Sequence, residues 1–192
     1  MRFQGKHKRR ARSDTKKEPP KNIFYANPTW YEPENRKEVN IISKPAGKYY
    51  MHLVTVREVA DRLEQVPARF LQALEVVELS PMTKNRSKFP CYAMQWGQNI
   101  YLYPIEENLI ETYVAPPRPE QQIEARRFGG KWSQEGKLWK LRWTPKTIKD
   151  FYLENILMHE LGHINDDDNN NPNKREAFAN SFAIKYGWKS RR

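Results

Sequence analysis

Apolar residues recur at three- and four-residue steps through Val56, Val59, Leu63, Val66, Phe70 and Leu74, which predicts an amphipathic helix over residues 55–73, kinked at Pro67. Residues 75–79 form a short valine-rich run of strand character, and residues 91–96 and 100–103 read as a hairpin turning near Gly97. The stretch Pro116-Pro117-Arg118-Pro119 is expected to break any element. Trp132, Trp139, Leu141 and Trp143 flank a turn at Glu135-Gly136, a tryptophan-rich hairpin within residues 126–143. Lys131, Lys137, Lys140 and Arg142 would line its outer side, either as a solvated face or as a basic platform for a substrate or nucleic acid.

Two helices close the chain. Thr144-Pro145 is a strong start, Thr as N-cap and Pro at the first helical position, and Leu153, Leu157, Leu161 and Ile164 carry the pattern to Asn165. After a polar loop, Asn171-Pro172 opens a second helix that stops at Gly187. The elements together predict an α+β class with a small antiparallel or mixed sheet. Residues 1–22 read as a disordered basic arm, 23–50 as an irregular aromatic and proline-rich extension, and 51–192 as the folded domain. In the extension, Phe24, Tyr25, Trp30, Tyr31, Tyr49 and Tyr50 either cover a core or offer rings on which single-stranded nucleic acid stacks.

Charge and cysteine count narrow the picture. A chain of 192 residues can bury a core without metal or disulfide staples, so a metal in it is expected to serve function. The net charge is +11, and residues 1–21 hold nine Lys/Arg against Asp14 and Glu18, a net of +7 in the arm alone. Such a run either binds nucleic acid through its phosphates, independent of sequence, or is simply solvated. Cys91 stands alone, which excludes an intramolecular disulfide and fits a reducing compartment, the cytoplasm. The first residues are basic but no apolar run follows them, and no stretch of about 18 apolar residues is present, so neither a signal peptide nor a membrane span is expected.

The chemistry lies in the closing helices. His159-Glu160-Leu161-Gly162-His163 puts two imidazoles one turn apart on one helix face, a spacing that suits two ligands on one tetrahedral zinc. Glu160 lies beside that face, able to reach a water at an open fourth position without being a ligand. On the second helix Glu176, Ala179, Asn180 and Ala183 share a stripe, small alanines allowing close packing while Glu176 reaches the metal. Asn180, one turn on, is a candidate to hydrogen-bond a ligand from behind. Asp166, Asp167 and Asp168 compete as third ligand; Glu176 is preferred because an ordered helix presents a carboxylate better than a polar loop does. The remaining histidines, His7 and His52, lie far upstream.

These segments resemble the gluzincin metallopeptidases, and among them the small ImmA/IrrE-like family, whose signature is HExxH followed by a helix carrying ExxANxFA. The second half here reads Glu176-Ala177-Phe178-Ala179-Asn180-Ser181-Phe182-Ala183, and the resemblance spans about residues 153–187. It implies a minimal zincin-like fold, one zinc ion held by His159, His163 and Glu176, Glu160 as general base, and a cytoplasmic enzyme that hydrolyses peptide bonds in a peptide or protein substrate. The family often acts beside a helix-turn-helix partner; no helix-turn-helix is legible here, and the basic arm and tryptophan hairpin depart from the family pattern. On that reading the substrate lies along a sheet edge, with residues 100–103 the candidate strand, and Tyr152 or Tyr186 could donate to the oxyanion. The competing reading is a nucleic-acid-associated protein that uses the arm and hairpin on the same scaffold.

Overall fold

A computed structural model describes residues 29–32, 34, 38–88, 91–166 and 169–191. The arm therefore lies outside the described residues, as do Phe24, Tyr25, Asp167 and Asp168. The chain runs through β1 (Asn40–Ser43), β2 (Tyr50–Met51), α1 (Val56–Glu64), β3 (Val76–Leu79), α2 (Lys84–Lys88), β4 (Ala93–Trp96) and β5 (Asn99–Leu102). Then follow β6 (Ile105–Glu106), β7 (Ile110–Tyr113), α3 (Pro119–Arg127), β8 (Lys131–Glu135), β9 (Leu138–Arg142), α4 (Pro145–Phe151), α5 (Leu157–Ile164) and α6 (Pro172–Tyr186). The class is α+β, with mixed and antiparallel sheets.

Helix α1 opens on a capping box: Thr55 Oγ1 accepts from Glu58 N–H, and the Glu58 carboxylate accepts from Thr55 N–H at 2.9 Å. It ends at Glu64, much earlier than the apolar pattern suggests. Pro67 supplies no N–H and disfavours helical backbone at the residue before it, so the helix does not continue through it and the chain makes only a 3-10 turn at Ala68–Phe70.

The main sheet has the order β1-β3-β5-β4, with β1, β3 and β5 parallel and β4 antiparallel at one edge. Its central strands are buried on both faces, which explains their near-continuous apolar character. The β4–β5 turn has Gly97 at φ +59°, a backbone state that favours glycine. Strand β1 falls within residues 23–50, so part of the stretch read as irregular is sheet. The aromatic segment before it covers that sheet: Trp30 packs on Tyr101 and Trp96, and Tyr31 donates to the buried Glu78 carboxylate at 2.6 Å. Glu78 is also met by Lys44 Nζ at 2.6 Å and by the Ser80 hydroxyl.

A smaller sheet of order β7-β9-β8 contains the tryptophan hairpin. On its charged face Glu135 pairs with both Lys140 and Arg142, and the four cations Lys131, Lys137, Lys140 and Arg142 against this one carboxylate leave residues 131–142 a net charge of +3. Helix α3 was not expected from the proline cluster. Pro119 occupies its first turn, where a missing N–H costs nothing, and the Gln121 side chain accepts from Arg118 N–H at 2.9 Å. The chain from Pro145 to Ile164 then forms one helical run interrupted by a π-turn at Tyr152–Ile156. Thr144 caps its start and Asn171 caps α6. No helix among the described residues is long and apolar enough to cross a membrane.

Candidate metal centre

Helix α5 buries Leu157, Met158, Leu161 and Ile164 in the core, which leaves His159 and Glu160 on its less buried side. Helix α6 lies directly against it. A Cβ on Gly162 would sit 2.9 Å from Ala179 Cα and 3.0 Å from Phe182 Cβ, so this contact tolerates no side chain at position 162. Ala179 is the residue one turn beyond Glu176, and close backbone approach at 162 and 179 brings Glu176 to the imidazole pair.

His159 Nε2 and His163 Nε2 are 3.1 Å apart, with rings nearly perpendicular. Glu176 Oε2 lies 3.5 Å from His159 Nε2, and its Oε1 lies 3.6 Å from His163 Nε2. For bonds of 2.0–2.1 Å, the edge of a zinc tetrahedron is about 3.3 Å. The three separations straddle that value, and no other group of three metal-ligating side chains converges in this way among the described residues. Two imidazole nitrogens and one carboxylate are a donor set that fits zinc. His163 is buried and the Glu176 side chain is 45% exposed, so the cluster opens on the Glu176 side.

The electrostatics favour a cation. Burial alone would lower the His159 pKa, but the hydrogen bond to Glu176 and the charges of Glu160, Glu176 and Glu124 outweigh it and raise the pKa. Glu160 is half-buried and outside the donor cluster. Its field reaches the start of the sheet edge: the Cys91 thiol, accessible yet flanked by protein, is pushed up by desolvation, eased by Arg86 at 3.0 Å, and pushed up again by Glu160.

The other sequence candidates fall elsewhere. Asp166 lies outside the cluster, its side chain buried, accepting from Asn169 at 2.5 Å and facing Arg175 at 3.9 Å. Asn180 is exposed and makes no hydrogen bond to His159, His163 or Glu176. Tyr152 is a core residue whose hydroxyl donates to the Tyr103 carbonyl at 2.8 Å, and burial raises its pKa strongly. Tyr186 ends α6, ten residues and roughly 15 Å along the axis from Glu176. The strand expected as a sheet edge, residues 100–103, is mostly β5, which pairs with β3 and β4; the edge is β4, which packs beside α5. A hairpin partner is always a neighbour, but which of the pair faces outward depends on β3, which pairing in sequence order does not reveal.

Glu124 on α3 was missed. It accepts from Asn155 Nδ2 at 2.6 Å, and Asn155 sits four residues before His159 on the same helical run. Only the recognition that residues 119–127 form a helix could have drawn attention to it. No family model, curated protein or solved structure matches this chain, so the centre is read from its own residues.

Proposed function

We propose that the protein is a zinc metallopeptidase of the HExxH, gluzincin type on a minimal zincin-like fold, acting on peptide or protein substrates in the cytoplasm. The observation that carries this reading is the convergence of His159 Nε2, His163 Nε2 and a Glu176 carboxylate oxygen at 3.1–3.6 Å, with Glu160 adjacent in sequence but outside the set. Zinc, when bound, supplies a Lewis acid that polarises the scissile carbonyl and acidifies water. His159, His163 and Glu176 would hold it. Glu160 takes a proton from the attacking water on a carboxylate oxygen and delivers it to the leaving amine nitrogen. Four protein positions thus divide into three that bind and one that moves a proton, a division that a purely structural zinc site does not need.

The test is metal content by mass spectrometry on protein purified without added metal. Wild type, Glu160→Gln and Asp166→Ala are expected to carry about one zinc, and Glu176→Ala to lose it. Metal-free wild type, or zinc retained in Glu176→Ala, would refute the assignment.

A second reading, association with nucleic acid, is favoured by one observation: +7 of the +11 net charge lies in residues 1–21. Binding to DNA or RNA should then fall steeply with salt and disappear when residues 1–22 are deleted. The β8–β9 hairpin contributes further positive charge, a net of +3 over residues 131–142, although Glu135 already pairs with Lys140 and Arg142.

A further inference from the structure

We infer that Glu124 reads the substrate: it receives a cationic group of the peptide, an α-ammonium or a Lys or Arg side chain, beside the bond that is cut. This rests on the peptidase reading and adds the charge of the substrate to it.

The geometry is local and fixed. Asn155, buried on the π-turn, donates to Glu124 Oε1 at 2.6 Å and so anchors one carboxylate oxygen. Four residues at about 1.5 Å each put Asn155 roughly 6 Å up the helical run from His159, near its less buried face. Glu124 therefore borders the centre, and its charge acts on His159. The second oxygen, Oε2, makes no hydrogen bond among the described residues, and no Lys or Arg among them lies within ion-pair distance of Glu124.

The surrounding carboxylates already have roles. Glu176 belongs to the donor set and Glu160 to proton transfer, which leaves Glu124 as a half-buried acid held by a neutral amide, with no Lys or Arg paired to it among the described residues. A partly desolvated carboxylate with one unused oxygen gains most from a charged donor, because charge-assisted hydrogen bonds are about twice as strong as neutral ones. The substrate is the source of that donor. Neutral peptides bound there would leave the charge uncompensated.

The test uses zinc-loaded Glu160→Gln protein, with and without Glu124→Gln, incubated with a proteome-derived peptide library. One portion is untreated, one is acetylated only at its N-termini, and one is acetylated at N-termini and lysines. The glutamine still accepts from Asn155, so only the charge is removed. Retained peptides are identified by mass spectrometry, and zinc is measured in the same samples. Peptides with a cation at a fixed position should be retained roughly tenfold over the rest, and Glu124→Gln should bring the two to parity. Loss on N-terminal acetylation alone identifies the α-ammonium; loss only when lysines are also blocked identifies the lysine side chain, and preference surviving both identifies arginine. Glu124→Lys, assayed alongside, should favour acidic peptides.

Retention indifferent to charge, preference unchanged in Glu124→Gln, or no retention of any peptide overturns the inference. Zinc lost in the double variant but kept in Glu160→Gln also overturns it, since Glu124 would then act on the metal site. Zinc absent from both proteins defeats the metallopeptidase reading itself, and the charge preference is still scored in those samples.

Discussion

Glu160 and Glu176 are the same side chain with different prospects, and their backbone positions make the difference. Glu176 is carried to the two Nε2 atoms by a neighbouring helix, whereas Glu160 follows His159 directly and is rotated about 100° from it around α5. Glu160→Gln should therefore retain zinc and lower peptide hydrolysis by about 10²- to 10⁴-fold, the usual contribution of a general base. Zinc content and turnover measured on one preparation check this. A variant that loses its zinc would make Glu160 a ligand, and one that keeps its activity would remove it from proton transfer. The centre was largely legible in the sequence because the His159–His163 spacing and the Glu176–Ala183 stripe both follow helix geometry. Glu124 was not, because α3 buries only Ala125 and leaves Ile123 exposed, and so writes almost no apolar period into the chain.

Between elements, the decisive contact is the one between α5 and α6. Gly162→Ala would place a methyl 2.9 Å from Ala179 Cα and 3.3 Å from its carbonyl oxygen, and backbone cannot yield as the end of a flexible side chain does. Helix α6 must move outward and take Glu176 with it. The expected cost is about 1–3 kcal/mol of stability, typical of overpacking, together with weaker zinc binding. Urea unfolding of the metal-free protein gives the first and zinc titration the second. Stability lost at unchanged zinc affinity would separate the helix contact from the placement of Glu176. Elements with strong periodic patterns were readable in advance, including both closing helices and both hairpins. What local pattern could not supply was the effect of single prolines, since Pro67 ends α1 and Pro119 starts α3, and the parallel placement of β1 and β3 beside β5. Those pairings join segments more than twenty residues apart and leave no local signature.

Across the whole molecule, one half-buried carboxylate ties the small sheet to the rest. Glu111 on β7 accepts from Tyr92 at 2.8 Å, just before β4, from Tyr113 at 2.9 Å, and from Trp143 Nε1 at 2.8 Å, just before the helical run that carries His159 and His163. Burial raises its pKa, the three donors oppose that rise, and the charge of Glu106 adds to it; the net direction is upward from the ordinary 4.5. Below that pH the carboxyl is protonated whether the chain is folded or not. As pH climbs past 4.5 the unfolded chain releases the proton while the folded protein keeps it, so stability from this group is lost as pH rises through the folded pKa. The slope is at most about 1.4 kcal/mol per pH unit. Glu111→Gln removes the titration while preserving shape, at the cost of placing an amide NH₂ among donors. The variant should start less stable near pH 4.5 and lose less on the way to pH 7, so that its gap to wild type narrows. Urea unfolding at half-unit steps measures that gap; one that stays constant across the range would mean that Glu111 is ionised throughout and that its three donors outweigh its burial.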